Sequence, residues 1–149
     1  MAIGGKEFLM NYEDNPPSLR IDLLISSTSP KSNSICKLNS VLVDTGCDIT
    51  FIPNKIIAEL DLEYSGDETE LCGFDDNPDR CLKLKLYYAK ISVEGVEEDI
   101  ILKVGGVDFE PLIGRDLINH WHILLNGENG DNGGTFEIAD SDSFSLPNT

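Results

Sequence analysis

Residues 41–50, which read V-L-V-D-T-G-C-D-I-T, bring together residue types that acid–base chemistry needs. Three apolar residues, typical of a buried strand, lead directly into Asp44. A carboxylate at the end of a buried strand is costly unless it is hydrogen-bonded or shares a proton. Gly46 permits a tight turn and a close backbone approach at the same point. The stretch indicates either a site built on Asp44 or, as the simpler alternative, an aspartate that starts and caps a turn.

The chemistry that suits Asp44 needs a second carboxylate. Two carboxylates a few ångströms apart cannot both ionise, so they share a proton, and one acts as base while the other acts as acid. Such a pair activates water against a peptide carbonyl without a metal or a covalent intermediate. The chain has one Asp-Thr-Gly and no Asp-Ser-Gly. The second carboxylate therefore comes from elsewhere in the chain or from a second copy, since a two-fold axis supplies an identical Asp44.

Other nucleophile and base combinations are incomplete. No serine lies in a Gly-x-Ser-x-Gly turn. Cys47 has no histidine base at a suggestive position, so it fits a small core residue better than a nucleophile. His120 and His122 flank Trp121 in a strand-like segment, which favours packing or exposure over catalysis.

The cysteines and acids give no metal-binding pattern, so we expect no metal and no cofactor. The four cysteines lie at positions 36, 47, 72 and 81, without a Cys-x-x-Cys pair. Residues 126–131 are rich in Asn, Gly and Asp but lack the spacing and closing Glu of a calcium loop, which favours a plain hairpin turn. Cys72 and Cys81 could flank one hairpin, as reduced thiols in a cytosolic setting or as a disulfide in an oxidising one.

The net charge of −16, from 27 acids against 11 bases, argues against nucleic acid and anionic membrane surfaces as partners. No apolar run approaches the roughly 20 residues of a transmembrane helix. The N-terminus lacks the basic region and apolar core of a signal peptide, so a complete chain is expected to be cytoplasmic.

The length of 149 residues fits one domain. We place it at 18–139, between an N-terminal arm (1–17) and a flexible tail (140–149).

Short apolar runs and alternating patterns predict an all-β chain with two short helices. The expected strands cover 19–25, 41–43, 50–52, 82–93, 96–104, 112–113, 122–125 and 135–138, and the expected helices cover 53–61 and 116–121. Residues 63–79 are polar and acidic and are expected to form a loop and a hairpin tip. Gly105 and Gly106 are expected to end the strand that begins at Val96.

Residues 41–50, together with 111–117 (P-L-I-G-R-D-L) much further along the chain, resemble the retropepsin-like aspartic proteases. These are the retroviral proteases and their cellular and bacterial relatives, and the layout is closer to the cellular and bacterial ones. The resemblance extends over residues 19–138. It implies a closed β-barrel that acts as a homodimeric aspartic endopeptidase on polypeptides, with the cleft across the two-fold axis.

The resemblance also implies roles for the residues of the triplet. Asp44 matches the catalytic carboxylate, and Thr45 matches the residue whose hydroxyl ties the two active-site loops together across the dimer. Gly46 matches the residue whose backbone receives substrate. Asp48 and Arg115 match a salt bridge that supports the site in retroviral members, and such a pair stabilises more when it is partly buried.

Four further residues match supporting positions. Thr50 completes the Asp-x-Thr pattern after the triplet. Leu112, Ile113 and Gly114 match an apolar-apolar-Gly strand that packs under the catalytic loop.

A flap, meaning a hairpin that closes over substrate, is implied as well, and the candidate residues are Cys72, Gly73 and Phe74. The loop around them is longer and more acidic than the glycine-rich flaps of the family. A non-catalytic dimerisation or peptide-binding module that retains the fold stays open as the alternative, because a fold does not by itself specify a function.

Overall fold

The computed structural model describes residues 6–9, 18–73, 77–93, 96–126 and 135–140. Within these ranges the chain forms ten strands and two short helices, which confirms the predicted all-β class. The strands are β1 (Lys6–Leu9), β2 (Arg20–Ser26), β3 (Ile35–Val43), β4 (Phe51–Pro53), β5 (Tyr64–Cys72), β6 (Cys81–Val93), β7 (Val96–Val107), β8 (Leu112–Ile113), β9 (Trp121–Asn126) and β10 (Thr135–Asp140). The helices are α1 (Asn54–Glu59) and α2 (Arg115–Ile118). Among the described residues, no helix is long and apolar enough to cross a membrane.

The strands form two sheets. Seven strands pair in the order β2-β3-β8-β4-β7-β6-β5, and three pair in the order β1-β10-β9. Most pairings are antiparallel, but β3 runs parallel to β8 and β4 runs parallel to β7. Strand β2 also pairs with β6, so these two strands are hydrogen-bonded to each other although they are not neighbours in that order. The closed barrel implied by the resemblance stays a prediction.

The main core forms because the strands alternate apolar and polar side chains. In β2, Ile21, Leu23 and Ile25 are buried while the residues between them are partly exposed. The same period of two residues places one face of each strand in the core. A second, smaller cluster consists of Phe51, Leu84 and Val107. This cluster lies beside the loop that follows β3, since Cys47 and Ile49 pack against it.

Two predictions about the elements are wrong. Residues 63–79 contain β5, which forms the edge of the seven-stranded sheet and exposes most of its side chains, so it has no apolar pattern that sequence could reveal. Strand β7 continues through Gly105 and Gly106 to Val107. A Cβ at Gly105 would lie 2.6 Å from the Phe51 ring, so the glycine permits close packing there. Strand β1 pairs with β10, and the expected division into an arm, a domain and a tail stays a prediction.

A matched pair of isoleucine substitutions tests the placement of the core. Ile25 is 0% exposed on β2, and Ile35, on the neighbouring strand β3, is 66% exposed. Ile25→Ala should lower the free energy of unfolding by about 2–5 kcal/mol, because it removes buried methyl groups and leaves a cavity. Ile35→Ala should change it by less than about 0.5 kcal/mol. Equal losses in urea denaturation would contradict the assigned register of β2.

Candidate active site

Asp44 lies directly after β3, where the parallel partner β8 fixes its backbone. The register pairs Val43 with Ile113, and the Asp44 amide donates to the Ile113 carbonyl at 2.8 Å. Asp44 is half-buried, and its Oδ1 accepts a hydrogen bond from the Gly46 amide at 2.9 Å. Within the described part of the chain, Oδ2 accepts no hydrogen bond. The turn-capping alternative therefore holds for one carboxylate oxygen, while the other remains available to a reactant.

Gly46 lies close to this carboxylate. A Cβ there would lie 3.2 Å from Asp44 Oδ1, closer than side-chain atoms comfortably pack. Thr45 and Gly46 are both exposed. A substituent on Gly46 would therefore crowd the oxygen that the loop amide holds.

A buried threonine connects the Asp44 loop to the segment after β8. Thr50 is 0% exposed, and its hydroxyl donates to Asp116 Oδ1 at 2.7 Å. The same hydroxyl accepts from the Gly114 amide at 3.1 Å, and the Thr50 amide donates to Asp116 Oδ2 at 3.1 Å. Both oxygens of the Asp116 carboxylate are thus engaged by one residue. This buried network fixes the relative position of two stretches far apart in sequence.

Asp116 is a supporting residue that the sequence analysis did not assign. Besides Thr50, its Oδ1 accepts from the Leu117 amide at 2.8 Å, in the first turn of α2. Acidic residues are favoured in the first turn of a helix because unpaired amides point toward them. Its place in the first turn, directly after the Gly114-Arg115 pair, was the available signal.

Asp48 and Arg115 form an ion pair, the arrangement that the resemblance implied. Their side chains are 75% and 54% exposed, so the pair contributes at most about 1 kcal/mol. Backbone hydrogen bonds join the same two segments more firmly. The Arg115 amide donates to the Cys47 carbonyl at 2.8 Å, and the Asp116 amide donates to the Asp48 carbonyl at 3.2 Å.

Gly114 is buried where the two segments cross. A Cβ there would lie 2.6 Å from the carbonyl carbon and oxygen of Ile49. Its φ of −95° is open to any residue, so the glycine is needed for the close approach and not for its backbone conformation. Leu112 and Ile113 form β8 beside it, with Ile113 fully buried.

Cys47 is poorly suited to nucleophilic attack. Burial is the main cause that raises the pKa of its thiol, and a backbone hydrogen bond at Ile49 opposes it. The carboxylates of Asp44 and Asp116 raise the pKa further, and Arg115 lowers it slightly. The thiol donates to the Ile49 carbonyl at 3.2 Å. Since the thiolate is the reactive form, a raised pKa keeps this cysteine inert near neutral pH.

A cavity of about 400 Å³ opens beside Asp44. The lining includes backbone and side chains from the Asp44 loop, from β4, from the end of β5 and from the segment between β7 and β8. Its residues are Leu42, Asp44, Gly46, Cys47, Phe51, Leu71, Phe109, Glu110, Pro111 and Leu112. Most are apolar, which is the usual lining of a ligand site with a few polar groups. The sequence analysis did not identify Leu71, Phe109 or Glu110 as lining residues.

Two of the three candidate flap residues, Cys72 and Gly73, lie at the end of the β5–β6 hairpin. Cys72 and Cys81 are opposite each other in the register and form a disulfide, so of the two states left open by the sequence the structure has the oxidised one. Gly73 follows with a φ of +72°, and its amide donates to the Arg80 carbonyl at 3.0 Å. Phe74 lies outside the described residues.

The described residues contain one cluster of potential metal ligands, formed by Glu70, Cys72 and Cys81. All three are exposed, and the disulfide uses both sulfur atoms. The cluster therefore does not offer a metal site in this state.

Comparisons with known proteins give a distant likeness to a solved structure. No protein-family model matches the chain, and no curated protein matches it significantly. Among solved structures, the chain is similar to EIAV protease complexed with the inhibitor HBY-793, at 19% identity and a TM-score of 0.47. The match covers 68% of this chain and 86% of that chain. A likeness this distant establishes neither family nor activity, so the function has to be argued from the geometry of the site.

Substitutions at Thr50 test the buried network. Thr50→Val keeps the shape but leaves the Gly114 amide and the Asp116 carboxylate short of a partner, so it should lower the free energy of unfolding by about 3 kcal/mol. Thr50→Ser keeps the hydroxyl and loses one methyl group, which should cost about 1 kcal/mol. Chemical denaturation of both variants measures the difference. Equal stability of the two variants would show that the hydroxyl contributes nothing.

Proposed function

We propose that the chain is an aspartic endopeptidase of the retropepsin-like type, which hydrolyses peptide bonds with water held between Asp44 of two identical copies. The observation that carries this proposal is the state of the Asp44 carboxylate. One oxygen is oriented by the Gly46 amide, the other has no described partner, and the residue lines a largely apolar cavity. An oriented carboxylate with a free oxygen in such a cavity suits general base catalysis on a bound peptide.

In the proposed mechanism, the ionised Asp44 of one copy takes a proton from the bound water as the oxygen attacks the scissile carbonyl. The protonated Asp44 of the other copy gives its proton to the carbonyl oxygen. Collapse of the tetrahedral intermediate then breaks the C–N bond, and a proton passes to the leaving amine. The two carboxylates exchange the roles of base and acid over one cycle.

A second copy is needed because the cavity offers Asp44 no equivalent partner within the described chain. Glu110 is the other acid of the lining, and it lies on the exposed segment between β7 and β8 and not on a matching loop. A two-fold axis beside Asp44 would supply the second carboxylate with identical geometry. Strand β9 supports association, since it is an edge of its sheet and exposes both Leu124 and Leu125.

The β5–β6 hairpin is proposed as the flap, and the seven-stranded sheet as the closed barrel that carries the site. Leu71, the residue before Cys72, lines the Asp44 cavity, so the end of the hairpin already borders the place where substrate would bind. Cys72, Gly73 and Phe74 would then approach the substrate backbone. The Cys72–Cys81 disulfide would hold the two strands together as the hairpin moves.

The second candidate is a peptide-binding or dimerisation module without catalysis. The hydrogen bond from the Gly46 amide to Asp44 supports this second candidate, because an aspartate that caps a turn has a structural role without catalysis. The two candidates differ in one outcome, since the module would bind peptides through the same cavity and release them intact.

Cleavage of a diverse peptide pool, mapped by mass spectrometry, tests the endopeptidase directly. Asp44→Asn should abolish every cleavage while leaving the fold and dimer intact, because an amide cannot take the proton from water. Asp99→Asn, an equal change of charge at an exposed site on β7, should retain activity. Cleavage that persists in Asp44→Asn would contradict the assignment of Asp44 as the catalytic carboxylate.

The dependence of cleavage on pH tests the shared proton. A pair that works with one proton loses activity when a rise in pH ionises both carboxylates, so cleavage should increase from neutral toward mildly acidic pH. Lower pH also reduces the net charge of −16, which should ease association of two copies. Measured kcat/KM that climbs steadily above neutral pH would contradict the mechanism.

A further inference from the structure

The cavity beside Asp44 contains a second carboxylate that the proposed mechanism does not use. Glu110 lines it from the segment between β7 and β8, and its side chain is exposed at the cavity's edge. Of the described lining residues, two are acidic and none is basic. The remaining lining is mostly apolar, and Phe109 and Pro111 flank Glu110 in sequence.

Nothing in the described chain neutralises Glu110. The ion pairs of the described residues join Lys37 to Asp22, Lys103 to Asp67 and Arg115 to Asp48, and none involves Glu110. The carboxylate also makes no hydrogen bond to a described residue. An exposed acid at the mouth of an apolar cavity is therefore free to pair with a cation that the ligand brings.

We propose that Glu110 is a specificity-determining residue, which selects peptides with a lysine or arginine next to the scissile bond. This inference rests on the proposed function and adds a substrate class to it. The aliphatic stem of such a side chain would lie along the apolar lining, while its charged end reaches the carboxylate at the edge. Lysine and arginine commonly bury their stems in this way and keep the charge near water.

The size and charge of the molecule are consistent with this ligand. A cavity of about 400 Å³ lies toward the small end of ligand sites, so it would select a side chain and not enclose a whole peptide. The net charge of −16 raises the local concentration of cationic peptides around the chain. The same negative charge would disfavour acidic peptides, so cationic peptides are favoured and acidic ones are rejected.

A different role for Glu110 makes a different prediction. If Glu110 completed a dyad with Asp44 inside one chain, its removal would stop cleavage of every peptide. A specificity residue instead changes the ratio between substrates. The ratio of kcat/KM for two matched peptides is therefore the deciding measurement.

The experiment uses two peptides that differ at one position next to a mapped cleavage site, with lysine in one and norleucine in the other. Norleucine keeps the stem and removes the charge. The full-length chain should prefer lysine by about threefold to tenfold at low salt, as expected for a partly exposed ion pair. Glu110→Gln should bring the ratio close to one, and Glu110→Lys should reverse it. Glu63→Gln, an equal change of charge at an exposed residue outside the cavity, should keep the wild-type ratio.

Two further readouts separate this inference from the endopeptidase proposal. Raising the salt concentration should weaken the preference of the wild type for lysine, because ions screen exposed pairs. Binding of the same peptides to Asp44→Asn, measured by fluorescence anisotropy, should show the same lysine preference and its loss in the double variant with Glu110→Gln. If the peptides bind with this preference but the wild type does not cleave them, the endopeptidase proposal is wrong and the role of Glu110 in selecting peptides stands. An unchanged ratio in Glu110→Gln, or loss of all cleavage in it, would overturn that role.

Discussion

The hydroxyl of Thr50 is the contact on which the geometry of the site depends. It is fully buried, and it donates to Asp116 while it accepts from the Gly114 amide. A buried polar group without a partner costs more than a made hydrogen bond gains, so this network strongly opposes separation of the two segments. The same network holds the segment after β8, and β8 pairs in parallel with β3 and presents the Ile113 carbonyl to the Asp44 amide. These contacts fix the position of the Asp44 carboxylate.

The site lies where buried and exposed parts of the chain meet. The second core cluster, with Phe51 and Val107, packs against the Asp44 loop. Because protein interiors are close-packed, this contact restricts movement of the loop. The cavity is also lined by Leu71, at the end of an edge hairpin, and by exposed residues such as Phe109 and Glu110. Under the proposed function, this division would place Asp44 on a supported loop and Glu110 on an exposed segment, so that substrate choice could change without loss of the acid–base geometry.

Sequence reasoning recovered the parts of the fold that have apolar periodicity. Strands β2 and β6 and the strand end before Asp44 could be predicted because alternation or a continuous apolar run marks a buried face. Strand β5 could not, because an edge strand with exposed side chains has no such pattern. The glycine pair in β7 suggested an end of the strand, whereas its cause is the Phe51 ring and α1 packed against the backbone. For the site, Asp48 and Arg115 could be paired from the motif, but the tie between Thr50 and Asp116 and the position of Glu110 depend on three-dimensional contacts.

The central claim is that Asp44 is half of a site that a second copy completes. Mixing experiments at fixed wild-type concentration test it most directly, with Asp44→Asn chains added under conditions where subunits exchange. If activity needs Asp44 from both copies, an equal amount of the variant should lower the measured rate to about half, since random pairing turns half of the wild-type chains into mixed dimers. A threefold excess should lower it to about one quarter on the same statistics. A rate that stays constant as the variant is added would contradict a shared site.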